Sequence, residues 1–414
     1  MKRLVRILNR LAEVLVFPLL ATMAVLHWSR PALEPCPIPA PKPIEGAALS
    51  YQQAFAAMPE LSGEEENLFS IYKPLDEDAA QSLLEKWATP LQLLTQGASQ
   101  TKCEWGWERV FEQQTNPLLA KAQTLANIAA VRARLHIVKG ENTQGVEDIL
   151  TIFRFSRHLE NGNSLIENAT AIACNTIAMH VAAFHLRNLD RDALQKLSDG
   201  IGALPTLPAF WGGEENDRKY LQALLHNTYN SELRSPSSKT SPSKGLIASW
   251  KKTVAGMVKI SPLFCYYEIK SFDRHKAEFD WLMGLPFHER GPMVTEFRAR
   301  LTENHQTNFF RRGLFFNPFI SILTAADSAQ LYDARYQTLW TIFKTALQAQ
   351  LTDPESVRAK VAGFCDPIDG TPLQMEDQPG EIQIFFKTLR EEPAWQLRIG
   401  IALQREPYWQ LKQP

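Results

Sequence analysis

Between Leu118 and Val138 apolar residues fall three or four apart (Leu119, Ala122, Leu125, Ile128, Val131, Leu135), the spacing of a helix with one buried face. Lys139-Gly140-Glu141 closes that helix with a basic last turn and a glycine stop. A second helix returns from about Thr143 to Glu160 through Val146, Ile149, Leu150, Phe153 and Leu159, so the pair forms an antiparallel hairpin across a very short turn. Ser164-Leu165-Ile166-Glu167 has the spacing of a capping box, in which serine and glutamate each satisfy a free backbone amide. It opens a third helix that runs through Ala169, Ala171, Ala173 and Ala178 to His185, and Asp190 to Leu204 is its return.

The later half carries helical spacing at about Phe264 to Met283, Met293 to His305 and Pro318 to Leu351, the last with Tyr332, Tyr336, Leu339, Phe343, Ala346 and Gln350 near one face. Asp353 and Pro354, as cap and first-turn residue, start a short helix that stops at Gly363. The period then changes to two. Asp366-Pro367-Ile368-Asp369-Gly370 is a turn by its chemistry, and beyond it Ile382, Ile384 and Phe386, then Trp395, Leu397, Ile399, Ile401 and Leu403, alternate with polar residues. Leu373 to Glu376 is a candidate third strand. The expected fold is mainly α: stacked helical hairpins, repeat-like or a plain bundle, with a small C-terminal antiparallel β-sheet and an N-terminal membrane helix.

That membrane helix is read from the start of the chain. Lys2, Arg3, Arg6 and Arg10 lead into an apolar run from Val14 to Trp28, and basic residues stay on the cytoplasmic side while such a run enters the bilayer. The run is shorter than the ~20 residues of an untilted span, and Glu13 and Pro18 weaken it. An uncleaved anchor is the expected state; secretion after signal cleavage is the alternative, although the best small-residue site, Thr22-Met23-Ala24, lies inside the run. Cys36 has Glu34 and Pro35 before it and lacks the small residue of a lipobox. The expected division is 1–30 anchor or signal segment, 31–45 proline-rich tether, 46–233 helical hairpins, 234–245 a flexible serine, proline and lysine loop, 246–363 a second helical region packed on the first, and 364–414 the β module.

Composition adds exclusions. With 414 residues, 45% of them hydrophobic, the chain can build real cores, while a net charge of −1 argues against nucleic-acid binding through phosphate neutralisation. The five cysteines (Cys36, Cys103, Cys174, Cys265, Cys365) contain no CxxC pair, and Cys174, among alanines and isoleucine, reads as a small buried hydrophobe.

No HExxH, GxSxG or GxxxxGK motif is present. His180 and His185 stand roughly 140° apart around one helix and do not share the face an i, i+4 metal pair needs. Glu268, Asp273, His275, Glu278 and Asp280 are the best cluster, with His275 and Glu278 on one face. A helical-bundle metal site needs a second copy of that pair, so a solvated charged face is the expectation. Asp366 and Asp369 are too few for a calcium loop. No catalytic, cofactor or metal residue is assigned. The aromatic density between Trp281 and Phe319 reads as core, but Phe309, Phe310, Arg311, Arg312, Phe315 and Phe316 interleave rings and charge in the manner of an interfacial segment, and form the candidate interaction surface.

Three resemblances accompany these residues. The helix-Gly140-Glu141-x-x-x-Gly145-helix junction resembles the turn of a tetratricopeptide repeat over one hairpin, without that family's ~34-residue period or its tryptophan, glycine and tyrosine marks. Tyr332, Arg335 and Tyr336, followed by Asp366-Pro367-x-Asp369-Gly370-x-Pro372-Leu373 and paired strands, resemble the C-terminal part of uncharacterised membrane-anchored helical proteins of planctomycete and verrucomicrobial bacteria. The Asp-Pro-x-x-Gly turn is also similar to the C-terminal region of type II secretion pseudopilins, although IQIFFKT lacks the ending usual there and the pseudopilin N-terminus is absent. These resemblances imply no known reaction. The expected function is a non-catalytic, membrane-tethered scaffold in the cell envelope or periplasm with a protein or peptide partner; an envelope hydrolase or metal-dependent enzyme with a site built from distant residues is the alternative.

Overall fold

The computed structural model describes Thr22 and residues 33–34, 43–106, 117–160, 165–205, 222–223, 225–230, 262–283, 285, 292–297, 299–300, 318–389 and 396–401. The 14–28 apolar run except Thr22, most of the 31–45 tether, the 234–245 loop, Ser164 of the capping box and the Phe309–Phe316 patch lie outside the described residues. Two compact units alternate along the chain. The first comprises Met1–Ala40, Arg109–Gln114 and Glu215–Asn304; the second comprises Pro41–Glu108, Thr115–Glu214 and His305–Pro414.

The second unit is mainly helical. A two-residue strand β1 (Glu45–Gly46) leads into α1 (Ala47–Ala57) and a single turn Gly63–Glu66, followed by α2 (Glu77–Lys86) and α3 (Ala88–Ala98). Strand β2 (Cys103–Glu104) pairs antiparallel with β1. Then come α4 (Pro117–Val138), α5 (Asn142–Glu160), α6 (Leu165–His185) and α7 (Arg191–Gly202), within a few residues of the bounds expected from periodicity. α4 packs on α5 and α5 on α6, α7 packs back on α5, α1 packs on α3, and α3 also reaches α5. The apolar stripe of α4 is fully inside: Ala122, Leu125, Ile128, Val131 and Leu135 are all buried, as are Val146, Ile149, Leu150, Phe153 and Leu159 of α5.

The α4–α5 turn shows why glycine stands there twice. Gly140 has φ +81°, a left-handed conformation that favours glycine. Gly145 lies so close to α4 that a Cβ on it would sit 2.5 Å from Ile137 Cγ1 and 3.0 Å from the Ala133 carbonyl oxygen. A Gly145→Val substitution is therefore expected to destabilise the second unit by about 1–3 kcal/mol through overpacking. Urea unfolding would measure this; a change below about 0.5 kcal/mol would show that the two helices are free to separate.

The long helix α8 (Pro318–Thr352) packs against α6 and α7 with the face expected from the sequence: Tyr336, Leu339, Phe343, Ala346 and Gln350 are buried. A polar thread fixes it laterally. Tyr336 Oη donates to Asn175 Oδ1 at 2.6 Å, Asn175 Nδ2 donates to Ser156 Oγ at 3.2 Å, and Ser156 Oγ donates to the Phe153 carbonyl at 2.7 Å. These bonds join α8, α6 and α5 inside the core, where unpaired polar groups would cost stability.

One expected cap is corrected. Asp353 makes no side-chain capping bond, and the backbone after it forms a 3-10 turn, Pro354–Ser356, before the one-turn helix Val357–Val361. Asp190 does cap α7, accepting from the Ala193 amide at 2.8 Å.

The C-terminal sheet has order β3 (Gln374–Gln378), β4 (Glu381–Phe385), β5 (Gln396–Gly400), all antiparallel. Ile382, Ile384, Leu397 and Ile399 are buried, and β5 packs on α6. Gly400 permits this approach, because a Cβ there would collide with the Phe184 carbonyl oxygen. The Asp366–Gly370 turn is more than a connector. Asp366 is buried, pairs with Arg335 Nη2 of α8 at 2.9 Å and accepts the Ile368 amide, while Gly370 has φ +69°.

In the first unit the described elements are helical residues 222–223 and 225–230, the helix Pro262–Met283, and helical residues 292–297 and 299–300. Tyr229, Ile269, Phe279, Leu282, Val294 and Phe297 are buried, and Phe279 stacks on Phe297 at 6.0 Å between ring centroids.

Candidate functional site

Folding disperses the carboxylate-histidine cluster. Asp273 faces His226 from another helix, Glu278 pairs with Arg300, and Asp280 accepts from Lys276 Nζ at 2.7 Å. His275 lies edge-on to Phe297, with ring centroids 6.1 Å apart, and the side chain of Glu268 lies outside the described residues. Among the described residues no three His, Cys, Asp or Glu side chains converge as a metal site. The sequence-derived interaction residues Phe309, Phe310, Arg311, Arg312, Phe315 and Phe316 lie outside the described residues.

A different surface comes forward. A cleft of about 800 Å³ in the second unit is bounded by the Gly63–Glu66 turn, the loop 67–76 and α2. Its apolar lining includes Leu68, Leu75 and Leu83, and its charged lining includes Glu65, Lys73 and Lys86, with Arg134 of α4 below. Two caps define its walls. Ser62 Oγ accepts the Glu65 amide at 3.3 Å while Glu65 Oε2 accepts the Ser62 amide at 2.7 Å, and Asp76 Oδ1 accepts the Ala79 amide at 3.1 Å.

Lys86 Nζ donates to both Glu65 oxygens, at 2.8 and 3.0 Å, and closes one end of the cleft. The bond from Lys86 holds the Glu65 carboxyl below its ordinary pKa, helped by the Ser62 amide.

The loop that forms the far wall is held from beneath. Arg134 is buried and donates Nη1 to the Leu68 carbonyl at 2.8 Å and Nη2 to the Lys73 carbonyl at 2.9 Å. Between those points Tyr72 turns inward, meeting Phe184 of α6 at 5.5 Å and His180 at 6.2 Å between ring centroids. The Arg398 guanidinium of β5 covers the Tyr72 ring at 4.4 Å, within cation–π range. Burial pushes the Tyr72 hydroxyl pKa up.

Behind this loop the ionisable side chains serve packing. Burial lowers His180 to about 4; burial, then the Arg134 and Arg187 charges, lower His185 to about 3. Both rings are neutral at physiological pH. Arg187 Nη1 donates to the Gly380 carbonyl at 2.7 Å and ties the β3–β4 turn to the segment that follows α6, while Arg398 of β5 lies 3.6 Å from Glu381 of β4. Burial raises Cys174 to about 12, consistent with the small hydrophobe expected from its neighbours.

The cleft was invisible in the sequence. Arg134 reaches carbonyls more than sixty positions earlier, and the apolar stripe of α4 shows only that Arg134 lies among buried neighbours. No protein-family model matches the chain, no curated protein matches it, and no solved structure matches its fold.

Proposed function

We propose that this chain is a membrane-tethered, extracytoplasmic scaffold that holds a peptide or protein partner without catalysing a reaction. The cleft carries the reading. It is open, with Leu68, Leu75 and Leu83 for apolar contact and a charged rim whose Glu65 and Lys86 already neutralise each other. Such a lining suits an extended segment that buries apolar side chains and hydrogen-bonds along its backbone. Arg134 gives the loop wall a fixed position, which lowers the ordering cost of binding.

The tether belongs to the same proposal and rests on the basic tip and the apolar run from Val14 to Trp28. Among the described residues one helical stretch, Glu167–Asn188, has the length and hydropathy to cross a membrane, yet 67% of its apolar window is buried inside the protein. Its buried Glu167, Asn168 and Asn175 fit a core helix.

Affinity capture from detergent-solubilised membranes tests the scaffold reading. The full chain is expected to retain a specific protein or peptide that Leu75→Glu releases, while a tether-deleted form fails to meet that partner in intact cells. Recovery of no specific partner, or equal recovery with Leu75→Glu, would overturn the assignment of the cleft.

A further inference from the structure

Leu33 and Glu34 lie in the stretch that the sequence marks as a proline-rich spacer, yet Leu33 is only 3% exposed. Its amide donates to Asn230 Oδ1 at 3.1 Å, and its carbonyl accepts from Asn230 Nδ2 at 2.9 Å. One amide side chain thus pairs with both polar groups of one backbone residue. At the next residue the Glu34 carbonyl lies 3.1 Å from His226 Nδ1, and the other ring nitrogen, Nε2, lies 3.2 Å from each oxygen of Asp273. Gln222 Nε2 donates to Asp273 Oδ1 at 2.8 Å, and Lys270 Nζ stands 3.8 Å from Oδ2.

Both partners of the His226 ring are acceptors. A neutral imidazole has one N–H and leaves the other nitrogen lone pair facing an oxygen; an imidazolium donates to both. We propose that His226, Asn230 and Asp273 form a proton-operated clasp on Leu33-Glu34, closed when the imidazole is charged and loosened when it is neutral. The bond to Asp273 raises the His226 pKa above its ordinary value, and the Glu34 carbonyl adds to this; burial and the Lys270 charge act against them. Asp273 and Lys270, both from the helix Pro262–Met283, are the charged side chains acting on the ring among the described residues. A raised histidine contributes stability that is fully present below its unfolded pKa and lost as pH rises through its folded pKa, so alkaline conditions open the clasp.

The consequence at the membrane rests on the anchoring reading above. Trp28 ends the apolar run five residues before Leu33, so a closed clasp keeps the first unit within ~18 Å of the bilayer surface. With the clasp open, that limit on the first unit is released. The clasp is therefore a proton-controlled setting of tether length.

Hydrogen exchange on the full chain in detergent micelles tests it, from about pH 5.5 to about pH 8.5 with rates corrected for intrinsic exchange. The peptide containing Leu33 and Glu34 is expected to be most protected at the acid end and to lose about tenfold in protection across the titration, the worth of one hydrogen bond to a charged group. His226→Gln should give low, pH-independent protection, and Asn230→Ala should lower it at every pH. Wild-type protection that does not change with pH, or an identical fall in His226→Gln, would overturn the clasp. Exchange in the helix Pro262–Met283 reports whether a variant is folded. Should a variant unfold, the wild-type ring must titrate by NMR in step with the loss of protection, and independent titration would equally overturn the clasp. No bilayer is needed, so the clasp can fail while anchoring stands; carbonate extraction of membranes tests anchoring separately.

Discussion

Near pH 5 the second unit is expected to have lost roughly 6 kcal/mol of the stability it has at pH 8, as three buried histidines resist protonation. Burial holds His158 at about 4 and His180 at about 4, and burial with Arg134 and Arg187 holds His185 at about 3. An unfolded histidine takes its proton near 6.5, so between there and the folded values the unfolded chain binds more protons and stability falls with pH. Each ring contributes roughly 2 kcal/mol by pH 5. The Tyr51 hydroxyl lies 2.7 Å from His158 Nδ1, and the Nε2 atoms of His180 and His185 have no hydrogen-bond partner among the described residues.

The window separates these rings from other titrating groups. Glu65, Glu147 and Asp369 have lowered pKa values, so their contribution is lost only as pH falls below the ordinary carboxylate range. Glu381 is raised by burial and offsets a little of the loss. His226 acts in the opposite sense and belongs to the first unit. A loss of this size is comparable with the whole stability of many domains, so unfolding near pH 5 is the expected result. Trp105 reports it, since its Nε1 donates to the His158 carbonyl at 2.7 Å. Denaturation followed by tryptophan fluorescence should show a steep acid dependence that flattens by about one proton in His180→Gln. Constant stability from pH 8 to pH 5 would refute the buried neutral rings.

Phe153→Ala should cost about 3–5 kcal/mol. Phe153 is fully buried on α5, and its ring meets Trp340 of α8 edge-on at 5.3 Å and Phe343 at 6.5 Å between centroids. Truncation removes ring burial and leaves a cavity between helices far apart in sequence, and the Asn175 thread restricts how far α8 can move to fill it. The indole of Trp340 is further held by the Arg157 guanidinium at 5.8 Å. In urea unfolding, Leu49→Ala at a half-exposed position should change little by comparison. A cost near 1 kcal/mol for Phe153→Ala would mean that α8 is only loosely attached.

Periodicity located α4, α5, the buried face of α8 and strands β4 and β5, because each of these buries apolar positions at a regular spacing and that spacing is a local property, whereas α6 and α7 are read from the residues at their starts and β3 only as a candidate. Gly145 was legible only through the resemblance of its junction to a tetratricopeptide turn. Polar partners were not. Asp273 was grouped with its helix neighbours His275 and Glu278, but its hydrogen bonds run to Gln222 and His226, some fifty positions away. Asp366 was read as a turn residue, which it is, while its buried ion pair with Arg335 could not be seen from spacing.

By itself the sequence determined the mainly helical class, the change to a period of two near the C-terminus, and the glycine-marked turns, since these follow from chain geometry over a few residues. The tertiary structure alone decided that the units alternate along the chain, that Leu33-Glu34 is docked, and that Arg134 carries the wall of a cleft. Those facts depend on hydrogen bonds between residues up to about two hundred positions apart, and such partners leave no periodic trace in the amino-acid order.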